Sequence, residues 1–123
     1  MSRSSQRAAA DRAFSKYIRL RDGMCRACGD RDPTQLQCAH VWSRSYHAVR
    51  YDERNAVALC RADHVRYTHH PLEWQVWVEA NIPEWQRLRW LAVNHVTEDG
   101  TPSNKLDYLA IKRHYTELLE ALV

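Results

Sequence analysis

The cysteines of this chain are spaced like the two halves of a metal site. Cys25 and Cys28 form a C-x-x-C pair, and Cys60 and Asp63 repeat the same spacing later in the chain. A C-x-x-C turn presents two thiolates from one knuckle, and a second pair elsewhere completes a tetrahedron around zinc. A carboxylate also binds zinc, so these four residues predict a structural zinc site. That site should be more acid-sensitive than one of four thiolates.

Alternatives remain open for the fourth position of this site. Asp63 could instead cap the N-terminus of the helix that follows. His64 could be the fourth zinc ligand, and Cys38 could be a spare thiol close to the site. The N-terminal residues lack the apolar core of a secretion signal, so we expect metal-bound or free cysteines rather than disulfides.

Three further residues could carry hydrolytic chemistry. His40 is expected at the end of a strand, Asn55 just before a second strand, and His64 at the start of a helix. A neutral imidazole can take a proton from water near neutral pH, and a second imidazole can hold a divalent cation beside a phosphate. An asparagine can tie a loop to a strand by hydrogen bonds. Such a trio suits hydrolysis of a phosphodiester, which needs an activated water and stabilisation of developing charge.

The elements that must position these residues follow from hydrophobic periodicity and turn residues. We expect a frayed start, a helix over 8–21, strands over 34–41 and 56–60 separated by a loop over 42–54, and helices near 62–68, 71–81, 83–95 and 104–122. The predicted fold class is α+β: a small zinc-framed ββα finger with an N-terminal helix and additional C-terminal helices. We expect a single domain over 1–123, with a basic arm and helix (1–23), a knuckle and ββα core (24–70) and a helical C-terminal part (71–123).

Large apolar residues in the C-terminal part have two interpretations. The last predicted helix carries a stripe at spacings of three and four, formed by Tyr108, Ile111, Tyr115, Leu118 and Leu122. We expect this stripe to pack on the domain, and a homodimer seam is the alternative. Trp74, Trp77, Trp85 and Trp90 are expected to form a small core rather than to stack on bases.

The net charge of +3 averages over an asymmetric distribution. Residues 1–21 hold six cations against one carboxylate, whereas residues 71–123 hold five basic and eight acidic groups. A basic front half suits a polyanion such as nucleic acid. The DNA-contacting candidates are Arg19, Arg21, Trp42, Arg44, His47, Arg50, Arg54 and Arg66. No apolar run approaches the length of a membrane span, so we expect no membrane partner. The lack of an apolar secretion-signal core argues against secretion, and we expect a cytoplasmic location.

The stretches YIRLRDGMCRACG, CAHVWSRSYHAVRYDERNAVALC and DHVRYTHHP carry a resemblance to a known family. Between Tyr17 and about Leu88 the chain resembles zinc-framed HNH (ββα-metal) endonucleases of phage and prophage origin. The closest resemblance is to the NinG/Rap group of phage recombination endonucleases. It implies cleavage of DNA, including branched recombination intermediates, with Mg²⁺ or Mn²⁺ inside a bacterial host cell.

The same resemblance assigns roles to the three polar residues. His40 matches the general base, Asn55 the structural asparagine, and His64 the helix ligand of the catalytic metal. The chain departs from many HNH enzymes at two positions. Ala39 stands where a second metal ligand often precedes the base, and Thr68 stands where a histidine often follows the helix ligand. Metal would then be held mainly by His64, phosphate and water.

Two arginines of the loop match positions expected to contact phosphate. The resemblance places Arg50 between the histidine and the asparagine, and Arg44 is a second candidate for the same role. A guanidinium can grip two phosphate oxygens. The alternative for either arginine is an ion pair with Asp52 or Glu53. The alternative function for the whole chain is a zinc-knuckle DNA-binding or recombination accessory protein without turnover.

Overall fold

The computed structural model describes residues 1–123 and shows five helices around a two-stranded antiparallel sheet. The strands are β1 (Leu36–His40) and β2 (Ala56–Cys60), and the helices are α1 (Arg3–Asp22), α2 (Arg61–His69), α3 (Pro71–Asn81), α4 (Trp85–Asn94) and α5 (Tyr108–Leu122). The α+β class and the order strand, strand, helix in the centre of the chain are confirmed. No helix has the combined length and apolar character needed to cross a membrane.

The hairpin fixes the position of the polar trio. The strands pair from Leu36 opposite Cys60 to His40 opposite Ala56, so His40 lies at the end of the sheet where the connecting loop begins. That loop is not irregular throughout, because 3-10 turns form at His47–Val49 and Glu53–Asn55. α2 begins directly after β2 and brings the Asp63–His64 segment back beside the hairpin.

The start of α1 differs from the sequence expectation. Residues 3–7 are helical rather than frayed, because the Ser2 hydroxyl accepts the Ser5 N–H at 3.1 Å and caps the first turn. The helix ends where predicted, at Gly23. This glycine has φ of +65° and donates its N–H to the Arg19 carbonyl.

α1 and α5 cover one face of the sheet. The Phe14 and Tyr17 rings of α1 lie 4.9 and 5.4 Å from the Tyr115 ring of α5, measured between centroids. Tyr108 and Tyr115 are buried in this cluster, which confirms that the apolar stripe of the last helix packs on the rest of the chain. The last residue of the stripe, Leu122, is half exposed.

α3 and α4 cover the opposite face of the sheet. Their buried side chains, among them Val78, Leu88 and Leu91, pack with Val57 and Leu59 of β2. The expected tryptophan core is confirmed for three of the four residues, Trp74, Trp77 and Trp85, which pack against this cluster. It is wrong for Trp90, which is 50% exposed, with the Arg87 guanidinium 4.8 Å from its ring.

Candidate metal centre and histidine cleft

The cysteine knuckle is a tight turn joined to β2 by a backbone hydrogen bond. The Gly29 N–H donates to the Cys25 carbonyl and the Cys25 N–H donates to the Asp30 carbonyl, both at 2.8 Å. The Arg26 N–H donates to the Ala58 carbonyl at 2.9 Å. The knuckle therefore lies beside Cys60, even though the sequence separates them by a whole hairpin.

The four predicted zinc ligands converge. One ligand atom from each of Cys25, Cys28, Cys60 and Asp63 lies within 4.8 Å of the others. The Cys28 and Cys60 sulfurs are 3.7 Å apart, and Asp63 Oδ2 lies 3.2 Å from Cys25 Sγ and 3.4 Å from Cys60 Sγ. Typical zinc–ligand lengths give tetrahedron edges of about 3.8 Å between sulfurs and about 3.5 Å from sulfur to oxygen. The cluster can hold a metal such as zinc.

The alternatives considered for Asp63, His64 and Cys38 are not what the structure shows. Asp63 does not cap α2. The cap is Cys60, whose sulfur accepts the Asp63 N–H at 3.4 Å. Neither His64 nor Cys38 belongs to the cluster. Burial works to raise the pKa of the Asp63 carboxyl, but hydrogen bonds from the three clustered thiols outweigh it and leave the pKa below its usual value.

His40 has one ring nitrogen committed and one available. Its Nε2 lies 3.1 Å from the Arg50 carbonyl, which can only accept, so Nε2 carries the proton and Nδ1 keeps a lone pair. Burial lowers the pKa of His40 to about 4, against the opposing effect of the Arg50 carbonyl. The imidazole is therefore neutral near pH 7.

In His64 the other ring nitrogen, Nδ1, makes the hydrogen bond. Its Nδ1 lies 2.6 Å from Oε1 of Gln37 on β1. With Oε1 as acceptor, Nδ1 carries the proton and Nε2 keeps the lone pair that a metal would need. Partial burial lowers the pKa of His64, which favours the neutral, ligand-competent form.

One cleft of about 600 Å³ contains both imidazoles. His40 and His64 line it together with Gln37, Arg19 and Arg44. Arg44 is exposed, and neither arginine forms an ion pair within 4.0 Å. The cleft thus presents two neutral imidazoles beside two cations that form no ion pair.

Asn55 organises the loop that follows His40. It is fully buried; its Oδ1 accepts the Trp42 N–H at 2.9 Å, and its Nδ2 donates to the Trp42 and Val49 carbonyls at 3.0 Å. Asn55 also accepts the Val41 N–H through its own carbonyl at 2.7 Å. These bonds tie the loop to the start of β2, the structural task expected of this asparagine.

Arg50 does not point freely into the cleft. Its Nε and Nη2 donate to the two carboxylate oxygens of Asp11 at 3.0 and 2.8 Å, and its Nη1 donates to the Arg44 carbonyl at 3.1 Å. The expected alternative of a loop ion pair is correct in kind but wrong in partner, because the carboxylate belongs to α1. Arg44 forms no ion pair at all.

Two other arginines named as DNA-contacting candidates have partners within the protein. Arg21 donates to the Glu53 and Ala56 carbonyls at 2.6 and 2.8 Å and pairs with Asp22. Arg54 pairs with Asp52 at 2.6 Å and also contacts Glu98. For these two side chains the charge is already neutralised, so the structure favours a role in holding the fold over the expected contact with DNA.

The remaining candidates lie away from the cleft lining. The Trp42 Nε1–H donates to the Trp85 carbonyl at 3.2 Å and its half-buried ring packs in the α3–α4 core, so this ring is not free to stack on a base. His47 lines a separate groove beside α5. Arg66 is exposed and makes a loose ion pair with Glu73 at 3.4 Å.

A stripe of cations on α1 borders the cleft. An α-helix turns by about 100° per residue, which places three cations, Arg12, Lys16 and Arg19, within one 60° sector of α1. This sector is next to the side of α1 on which Asp11 and Ser15 line the cleft. None of the three cations forms an ion pair. We call Arg12, Lys16 and Arg19 the α1 cation stripe.

The sequence interpretation missed Gln37 and Asp11. Gln37 contacts a residue 27 positions later, and Asp11 contacts one 39 positions later, so no local pattern marks either. One signal did exist for Asp11, because it is the only carboxylate among the cations of residues 1–21.

No protein-family model, curated protein or solved structure matches this chain. Function is therefore inferred from the geometry of the cleft and from the motif resemblance.

Proposed function

We propose that this protein is a divalent-metal-dependent endonuclease of the HNH kind that hydrolyses DNA phosphodiester bonds. The observation that carries the proposal is the cleft that His40 and His64 share. Each imidazole has one nitrogen within hydrogen-bond distance of a protein oxygen, the Arg50 carbonyl or Gln37 Oε1, and the other free, beside Arg19 and Arg44. This set offers a base, a metal ligand and phosphate-binding cations within one cavity.

His40 is the group proposed to take the proton from the attacking water. Its Nε2–H is held by the Arg50 carbonyl, so Nδ1 receives the proton and the ring keeps its orientation as it becomes cationic. Near pH 7 nearly every molecule starts with the base unprotonated, because burial keeps the pKa at about 4. Phosphate in the cleft would favour the cationic ring once the proton has moved.

The cleft offers few protein ligands for a metal, which suits a divalent ion that keeps most of its hydration shell. His64 Nε2 is the one free nitrogen donor that α2 offers in the cleft, and Gln37 fixes its direction. Mg²⁺ or Mn²⁺ bound there would stabilise the charge that develops on the phosphate and on the leaving oxygen. Phosphate oxygens and water would fill the other positions.

Arg44 and Arg19 are proposed to hold the phosphates next to the scissile bond. Both line the cleft and neither has a carboxylate partner. The α1 cation stripe extends this positive surface for 10.5 Å along the helix axis from Arg12 to Arg19, at about 1.5 Å per residue. Phosphates of one DNA strand are spaced about 3.4 Å along the duplex axis, so the stripe spans about three of them.

The DNA class proposed is a branched recombination intermediate of a phage or prophage, acted on in the cytoplasm of a bacterial host. This part comes from the resemblance to the NinG/Rap group. A homodimer would suit a substrate with two equivalent arms.

A second candidate function is DNA binding without turnover. It is favoured by the small number of side chains in the cleft that could bind a metal ion. Ala39 is buried and offers no ligand, and the Thr68 hydroxyl donates to the His64 carbonyl at 2.7 Å within α2. With one protein ligand, metal affinity would be low, and the zinc-framed finger could bind DNA without cleaving it.

A cleavage panel separates the two functions. Zinc-loaded protein is incubated with supercoiled, linear duplex, flap and four-way-junction DNA, with Mg²⁺, with Mn²⁺ or without a divalent ion. The proposal predicts nicking that requires the ion, and a higher ion concentration for half-maximal rate in His64→Ala. His69→Ala, an exposed histidine at the end of the same helix, is the control. Retained DNA with no nicking under any condition would favour the binding protein.

A further inference from the structure

We propose that Asp11 and Arg50 form a clamp that positions His40 for proton abstraction, with Arg50 acting through its backbone carbonyl rather than as a phosphate ligand. The inference rests on the proposed function and assigns Asp11 a task that no motif of the sequence marks.

The contact between the two clamp residues is specific in orientation as well as in charge. Both carboxylate oxygens of Asp11 are engaged by the Arg50 guanidinium, at 3.0 and 2.8 Å. The Tyr51 hydroxyl also donates to Asp11 Oδ1 at 2.8 Å. A planar two-point contact of this kind fixes the angle of the guanidinium, which a single-point contact does not. The Arg50 side chain is only 12% exposed.

The clamp extends to the cleft through the backbone of the same residue. The Arg50 carbonyl accepts the His40 Nε2–H at 3.1 Å, and Arg50 Nη1 donates to the Arg44 carbonyl at 3.1 Å. One carboxylate on α1 therefore holds the segment that orients the proposed base and the segment that carries the proposed phosphate ligand. Phe14, on the next turn of α1, packs on the His40 ring at 5.6 Å between centroids.

The same contacts argue against a direct phosphate role for Arg50. All three guanidinium nitrogens already donate to acceptors of the protein. A phosphate would have to displace Asp11 and leave its carboxylate, partly buried, without a cation. The pKa of Asp11 is consistent with a stable pair, since the Arg50 and Tyr51 hydrogen bonds outweigh burial and keep it below its usual value.

The two roles predict opposite kinetic effects of Asp11→Asn. If Arg50 only positions His40 and the Arg44 segment, the variant lowers kcat by about 10- to 100-fold, the usual cost of losing an orienting contact, and does not lower KM. If Arg50 binds phosphate, removal of the competing carboxylate frees it and lowers KM with kcat retained. The control is Glu98→Gln, which removes a carboxylate that Arg87 and Arg54 contact outside the cleft. Arg54 keeps its ion pair with Asp52, so this variant should alter neither constant.

Imidazole nitrogen NMR of DNA-free protein tests the clamp separately from catalysis. The wild type and Glu98→Gln should show His40 as the Nε2–H tautomer, and Asp11→Asn should show a mixture of tautomers. Should Asp11→Asn fail to fold by circular dichroism, Arg50→Lys provides the same readouts, because an ammonium cannot hold both oxygens and the Arg44 carbonyl. An unchanged tautomer overturns the clamp even if the wild type cleaves DNA. A wild type that cleaves nothing overturns the proposed function, and the tautomer shift still supports the clamp.

Discussion

Acidification should destabilise this fold through His40. The native state holds the imidazole neutral, with a pKa lowered by burial to about 4, whereas an unfolded chain titrates near 6.5. Between these values the unfolded chain binds more protons than the native one. The contribution of His40 to the free energy of unfolding is therefore fully present above pH 6.5 and is lost as the pH falls towards 4.

The size of this effect follows from the two pKa values. A difference of 2.5 units corresponds to about 3.4 kcal/mol over the whole window, of which about 2.5 kcal/mol is lost between pH 7.5 and 4.5. Urea unfolding at these two pH values measures the loss. His40→Gln isolates it, because the glutamine amide can still donate to the Arg50 carbonyl but takes up no proton.

Comparison of the two proteins cancels the other titrating groups. Burial also lowers the pKa of His47 and of His64, and any metal held by the cysteine cluster would be released in acid, but both proteins share these contributions. We expect the wild type to lose about 2.5 kcal/mol more than His40→Gln between pH 7.5 and 4.5. His114→Gln, on the exposed side of α5, should behave like the wild type. Equal losses in wild type and His40→Gln would refute the assignment of a buried neutral imidazole.

Three further predictions concern the loop, the metal centre and the DNA surface. Asn55→Ala should lower the free energy of unfolding by about 3–5 kcal/mol, since it leaves one buried N–H and two carbonyls unpaired, while the exposed Asn94→Ala should cost under about 1 kcal/mol by urea titration. Asp63→Cys should hold zinc more tightly against a chelator than the wild type, because a fourth thiolate replaces a harder carboxylate; equal retention would place Asp63 outside the zinc shell. Lys16→Gln with Arg19→Gln should reduce the slope of log affinity for duplex DNA against log salt by about 2, measured by fluorescence anisotropy without divalent ions.

Local signals in the sequence predict most of the fold correctly. Pro71 starts α3 where expected, Gly23 ends α1, and both strands lie within their predicted ranges. The predicted start of α1 is wrong. Chain ends commonly fray, but here the Ser2 hydroxyl caps the first turn and residues 3–7 are helical. Serine is a preferred N-cap residue, but apolar periodicity, on which the predicted start was based, does not include caps.

The members of the metal cluster are predictable from the sequence, but the contacts around the histidine cleft are not. The C-x-x-C and C-x-x-D spacings name all four residues of the metal cluster. Arg21 and Arg54 pair with carboxylates one and two positions away, which a sequence can indicate. The pairing of Arg50 with Asp11, 39 positions away, and the lack of a partner for Arg44 are visible only in the folded chain. The sequence identifies cations, and tertiary structure decides which of them remain available to phosphate.

The metal centre and the cleft are mechanically linked. Cys60 ends β2, caps α2 and belongs to the metal cluster, and Asp63 precedes His64 on the first turn of α2. A bound ion would therefore fix the helix turn from which His64 reaches Gln37. Metal content therefore has to be matched between variants in any test of cleavage.

The rate of supercoiled-DNA nicking by His40→Ala relative to the wild type, at equal zinc content and saturating Mn²⁺, tests the central proposal most directly. Loss of the base should lower the rate by about 10²- to 10⁴-fold, with duplex DNA still bound at low salt. Equal rates in the two proteins would contradict the assignment of His40. A wild type that binds DNA and never nicks it would contradict the nuclease itself.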